Sequence, residues 1–96
     1  MKEYYSLNNA QYILSGADLN DYQDFGNFVS SGAPVSATLK NCPVSAAGFV
    51  LHVERITGGT AGYCKQRLIY NDLIGHEFWR MLQNGVWGTW GRVKPE

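Results

Sequence analysis

The chain has 96 residues, enough for one small domain, and its eight basic and eight acidic residues cancel. Only 17% of residues are charged, and Lys40, Arg55, Lys65, Arg67 and Arg80 lie scattered among acids, so the basic stripe of a nucleic-acid binder is missing. No apolar run approaches membrane-spanning length, and Met1-Lys2-Glu3-Tyr4-Tyr5 lacks the apolar core of a signal peptide; a product made in the cytoplasm, without membrane insertion, is expected.

Tyr4 to Leu14 is polar and aromatic with no clean period, and residues 1–14 are read as a connecting segment ahead of a domain over 15–96. Ala17-Asp18-Leu19-Asn20-Asp21-Tyr22 is too short for an isolated helix and reads as a turn in which Asp18 caps nearby amides. Phe25 to Val29 reads as a short strand, with loops around Pro34 and Pro43, which cannot donate to a sheet ladder. Gly48 to Ile56 is a strand with Phe49, Leu51 and Val53 on one face and Val50, His52, Glu54 and Ile56 on the other. After the turn Gly58-Gly59-Thr60-Ala61-Gly62, Tyr63 to Tyr70 is the next strand; its polar centre, Lys65-Gln66-Arg67, suggests solvent or a wet interface on one face. Asn71 to Gly75 is a turn. Glycine and Asn/Asp clusters at this spacing predict a mainly β domain, a β-rich α+β fold being the variant. The expected form is a small antiparallel meander of about four to five strands.

All three tryptophans fall in the last fifth of the chain. Asn84-Gly85 separates Phe78-Trp79-Arg80-Met81-Leu82-Gln83 from Val86-Trp87-Gly88-Thr89-Trp90. Asn-Gly between apolar runs is a strong signal for a type I′ hairpin. In an uninterrupted ladder Leu82 faces Trp87, Trp79 faces Trp90 and Glu77 faces Arg92. Trp79, Met81 and Trp90 then cover one side, and Phe78, Leu82 and Trp87 the other. A ribbon apolar on both sides needs a second layer, a partner chain or a ligand. Trp79, Met81, Trp90 and Phe78 are therefore candidates for core or subunit interface. A small chain of zero net charge also tends to associate.

Motifs for catalysis or metal binding are weak. Asp18, Asp21 and Asp24 fail as a calcium loop, because Tyr22 and Gln23 stand where a ligand and a glycine are needed. His76-Glu77 lacks a second His at position 80. Cys42 and His52 offer a nucleophile and a base but no orienting third group, and Gly58 to Gly62 lacks the Lys-Ser/Thr of a phosphate loop. A polysaccharide-degrading role needs paired carboxylates, for which Glu54, Asp72 and Glu77 are the candidates. No cofactor and no metal are expected, and Cys42 and Cys64 read as free thiols, a disulfide between them being the alternative. Aromatic rings stack on sugar faces while amides and carboxylates bind hydroxyls. Asn71, Asp72, Tyr63, Tyr70, Trp87 and Asn84 are thus candidates for a receptor site, though most rings of so small a chain must fill its core.

The order of these pieces resembles the pyocin-knob domains of phage tail fibres and tail-like bacteriocins. The likeness rests on Asp18-Leu19-Asn20-Asp21, Gly26-Asn27-Phe28, Asn41-Cys42-Pro43 and Gly48 to Val53. It continues through Lys65-Gln66-Arg67-Leu68, Phe78-Trp79-Arg80 and Gly85-Val86-Trp87-Gly88-Thr89-Trp90. It runs from about Ser15 to Lys94 and departs from the pattern at Asp24-Phe25, where a proline is usual. The resemblance implies a non-enzymatic, β-rich homotrimer at the tip of a tail fibre, made in the host bacterial cytoplasm and carried on the virion or tail-like particle. Its implied partners are other tail proteins and a bacterial surface polysaccharide or other envelope receptor. The alternative is a purely structural tail protein or trimerisation cap.

Overall fold

The computed structural model describes residues 10–45 and 47–93. Its described strands form a single seven-stranded sheet: β1 Gln11–Tyr12, β2 Gly26–Ser30, β3 Phe49–Arg55, β4 Cys64–Tyr70, β5 Glu77–Gln83, β6 Val86–Trp87 and β7 Gly91–Val93. They lie in the order β1 to β6, with β7 also on β5. From β2 onward every pairing is antiparallel, while β1 joins β2 in parallel. Gln11 and Tyr12 thus enter the sheet, and Ile13 is buried in the core, although all three lie before the domain start expected at Ser15. Residues 1–9 of the expected connecting segment lie outside the described residues.

Alternation builds one core face. Phe49, Leu51 and Val53 of β3 are buried there with Cys64 and Leu68 of β4 and Leu82 of β5. The first half of the chain covers this face. Leu19, in a 3₁₀ turn at Leu19–Asp21 capped by Asp18, is fully buried, and Leu39, Cys42 and Val44 pack against the cluster. Residues 33–36 form a one-turn helix, α1 (Ala33–Ser36), where the sequence suggests loop. Pro34 suits its first turn, where no N–H partner is needed, and buried Ser36 ties it to Ser30 and to Ala47 O.

Lys65 and Arg67 lie on the open face, as the polar run suggests for one face of this strand, while Gln66 between them is fully buried on the other. Its Nε2 donates to Leu19 O at 2.7 Å and to Tyr22 O at 2.8 Å, and its Oε1 accepts from Arg80 Nε at 2.8 Å. The amide satisfies carbonyls that the sheet does not, which offsets the cost of burying it.

The hairpin turn forms as its dipeptide dictates, with φ 50° at Asn84 and 77° at Gly85. Leu82 pairs with Trp87 as expected. Beyond Gly88, whose amide donates to Met81 O, the register slips by one: Trp79 pairs with Gly91, Phe78 with Arg92 and Glu77 with Val93. Thr89 and Trp90 together stand opposite Arg80, which is a β-bulge. The expected Trp79–Trp90 and Glu77–Arg92 pairs are therefore absent. Trp90 is carried to the core face beside Trp87, and both rings lie on the Arg80 guanidinium, its carbon 3.9 Å and 4.6 Å from their centroids. Trp90 Nε1 donates to Asn41 O, fixing the hairpin to the loop that covers the core.

Candidate functional site

The second face of the sheet carries no covering layer among the described residues. Its positions are Tyr12, Asn27, Val29, Val50, His52, Glu54, Lys65, Arg67, Ile69, Glu77, Trp79, Met81, Gln83, Val86 and Val93, and none is buried. Pairing sets them in rows. Tyr12, Val29, Val50, Ile69, Glu77 and Val93 form one continuous line across the strands, mostly apolar. A middle row runs Asn27, His52, Arg67, Trp79. Trp79 remains 38% exposed, with Lys65 Nζ 3.5 Å from its ring centre and its own Nε1 donating to Glu77 Oε1. Burial, and then Arg67, hold the His52 ring below its ordinary pKa, and its Nδ1 bonds Asn27. Lys65 and Arg67 offset Glu54 and Glu77, so the face is neutral overall.

One end of this face opens into a cleft of about 410 Å³. Val29, Val50 and Ile69 form its floor, and Ser31, Gly32 and Asn71 stand among its walls. The loop after Asn71 is held by one carboxylate. Asp72 Oδ1 accepts from the amides of Ile74, Gly75 and His76, and Oδ2 bonds His76 Nδ1. The His76 hydrogen bond first, with the loop amides, holds the Asp72 carboxyl down at about 2. At the tip of this loop Leu73 is 106% exposed and Ile74 62%. At the far end of the face, Met81, Gln83, Val86, Trp87 and Gly88 line a second cleft of about 320 Å³.

The six candidate receptor residues do not form one site. Tyr70, Asn71 and Asp72 stand at one end of β4; Tyr63, Asn84 and Trp87 stand at the other, roughly 20 Å away at strand rise. The Trp87 ring is taken up by Arg80. Of the interface candidates, Trp79 and Met81 lie on the open face, whereas Phe78 and Trp90 pack against the core. Leu73 and Ile74, which the sequence reading placed only within a turn, are exposed aliphatics at the tip of this loop. Cys42 and His52 do not meet: the thiol donates to Val44 O on the core side, and His52 is on the open face. Burial raises both thiols above their ordinary pKa, and both are free. Asp18 and Asp24 are engaged separately, with Asn41 and Arg55. Among the described residues no three His, Cys, Asp or Glu gather as a metal site, and no helix is long and apolar enough to cross a membrane.

No protein-family model matches the chain, and no curated protein does. Solved structures do. A carboxy-terminal piece of the P. aeruginosa R1 pyocin fibre superposes with a TM-score of 0.76 at 24% identity, over 90% of this chain and 21% of that one. An N-truncated R2-type pyocin tail fibre gives 0.77 at 20% identity, over 91% of this chain and 33% of that one. A carboxy-terminal piece of the P. aeruginosa R2 pyocin fibre gives 0.77 at 20% identity, over 91% and 23%. The chain thus spans a third or less of the fibres it matches. Its fold is that found in pyocin tail fibres, as the pyocin-knob resemblance of the sequence predicts.

Proposed function

We propose that this chain is a non-catalytic tail-fibre knob that assembles with copies of itself, as a trimer, and binds a bacterial cell-surface receptor, a glycan, for host recognition. The observation that carries the reading is the uncovered, neutral sheet face with its apolar row Tyr12, Val29, Val50 and Ile69. Three seven-residue strands flanked by shorter ones, at about 3.3 Å rise and about 4.8 Å spacing, give roughly 500 Å² of sheet, the larger part of the ~800 Å² per partner of a standard interface. Equal and opposite charges on that face let copies meet without repulsion. Linked copies make sense for sugars: one site of millimolar affinity is worth about −4 kcal/mol, and multivalency adds factors of about 10²–10⁴. Other tail proteins as partners and a place on a tail-like particle are part of this reading, and the fold shared with pyocin tail fibres supports it. Light scattering at micromolar concentration is expected to give three times the monomer mass, and the oligomer is expected to label host cells and a glycan array.

The split of the candidate receptor residues between two ends, with Trp87 closed over Arg80, favours a second reading, a structural cap without receptor site. An oligomer that labels no host surface supports the cap.

A further inference from the structure

We propose that the Leu73–Ile74 tip of one copy seats in the Val29–Val50–Ile69 cleft of the next copy; this rests on the self-association reading above. The two features lie side by side at the same end of β4. Asn71 lines the cleft, and Leu73 follows two residues later, yet Leu73 is wholly exposed and leaves the cleft of its own chain unfilled. A knob beside a hole that it does not enter suits the hole of a neighbour. Such a contact is heterologous, and a heterologous contact closes into a ring under rotational symmetry.

Size and chemistry agree. An enclosed space of about 150 Å³ holds a benzene-sized apolar group, so the cleft of about 410 Å³ has room for both aliphatic side chains. Its floor is three branched aliphatics from adjacent strands, in cross-strand register. The loop is also set for docking. Three amides and an imidazole converge on the Asp72 carboxylate, so the tip is ordered before it meets a partner and little freedom is left to lose. No charge stands at the tip, and Asp72 is engaged within its own loop. The cleft is continuous with the neutral open face, so loop insertion extends the same interface and adds to its area.

The test combines two substitutions and one mixture. The double variant Leu73→Asp with Ile74→Asp is expected to fold, because both side chains are exposed, and to lose the oligomer seen by light scattering for the unaltered chain. Separately prepared Leu73→Cys and Val50→Cys variants, mixed and mildly oxidised, are expected to give a disulfide-linked pair on a non-reducing gel. Each variant alone, and the unaltered chain with Cys42 and Cys64, is expected to give none. An unaltered chain that assembles, with a double variant that assembles equally well, overturns the loop contact and leaves self-association standing. Loss of assembly in the double variant without the mixed disulfide overturns the cleft as the seat. Occupation of the cleft by a free saccharide that leaves the oligomer intact does the same. A monomeric unaltered chain overturns this contact together with the reading it rests on.

Discussion

Arg80 Nε donates to Gln66 Oε1 at 2.8 Å inside the core, and this bond joins the Trp hairpin to the loops of the first half of the chain. Gln66 is the centre of that junction, because its amide also serves Leu19 O and Tyr22 O. Gln66→Leu leaves two carbonyls and a buried guanidinium donor unmet, at about 1–3 kcal/mol each. A loss of at least about 3 kcal/mol in urea denaturation is expected. Arg80→Met removes the buried cation along with its own desolvation cost, which burial expresses by lowering its pKa to about 10. The Met variant is therefore expected to lose less than the Leu variant, and the reverse order would show that the guanidinium, not the amide, anchors the junction.

The bulge opposite Arg80 sets the face on which Trp90 lies. Deleting Thr89 gives an even ladder in which Trp90 alone stands opposite Arg80, and it stays on the core face because directly opposed residues share a face. The deletion variant is therefore expected to keep its indole emission and to lose less than the ~3–5 kcal/mol of a removed tryptophan. Emission shifted to the red, with a loss in that range, would show that Thr89 is needed to bring the ring onto the core.

Two tryptophans on one hairpin are expected to respond oppositely. Trp90→Ala should cost about 3 kcal/mol of folding stability, since its ring packs on the core and its Nε1 holds Asn41 O. Trp79→Ala should change monomer stability by less than about 1 kcal/mol, the scale of an exposed cation–π contact, while weakening self-association about tenfold or more. Thermal melting of dilute protein paired with light scattering separates the two effects.

Acid should loosen the loop that carries Leu73 and Ile74. The Asp72 carboxyl is held down from an ordinary 3.8 to about 2. A group depressed on folding contributes fully above its unfolded pKa and loses that contribution as pH falls toward its folded value. Protection of the Ile74, Gly75 and His76 amides, taken relative to their intrinsic exchange rates at each pH, is expected to fall between about pH 4 and about pH 2, and Asp72→Asn should show low protection there at neutral pH. Protection that ignores acid would assign the loop's order to something other than this carboxylate.

What was readable in the sequence was local. Asn84-Gly85 dictates its own turn, and alternation in Phe49 to Val53 names the core face without any knowledge of partners. What was hidden depends on distant residues. Gln66 reads only as part of a polar run; it is buried because carbonyls 47 and 44 residues away need its protons. The two-residue β1 and the four-residue α1 lack length to announce themselves and form because β2 and Ser30 receive them. The bulge is invisible to a pairing rule that counts residues evenly, since it is set by Arg80 taking both indoles. For the same reason the candidate receptor residues, grouped by chemical type, fell at opposite ends of one strand.

Side chains along each strand alternate between two faces that share a backbone and little else. Exchange of Val50, Lys65 or Trp79 leaves Leu51, Gln66 and Arg80 where they are, so this side of the domain is free to drift in what it contacts while folding holds the other side fixed. By drawing Trp90 away to the task of filling the interior, the bulge makes that separation sharper, and the attachments of this domain can change one outward position at a time without reopening the question of how to fold.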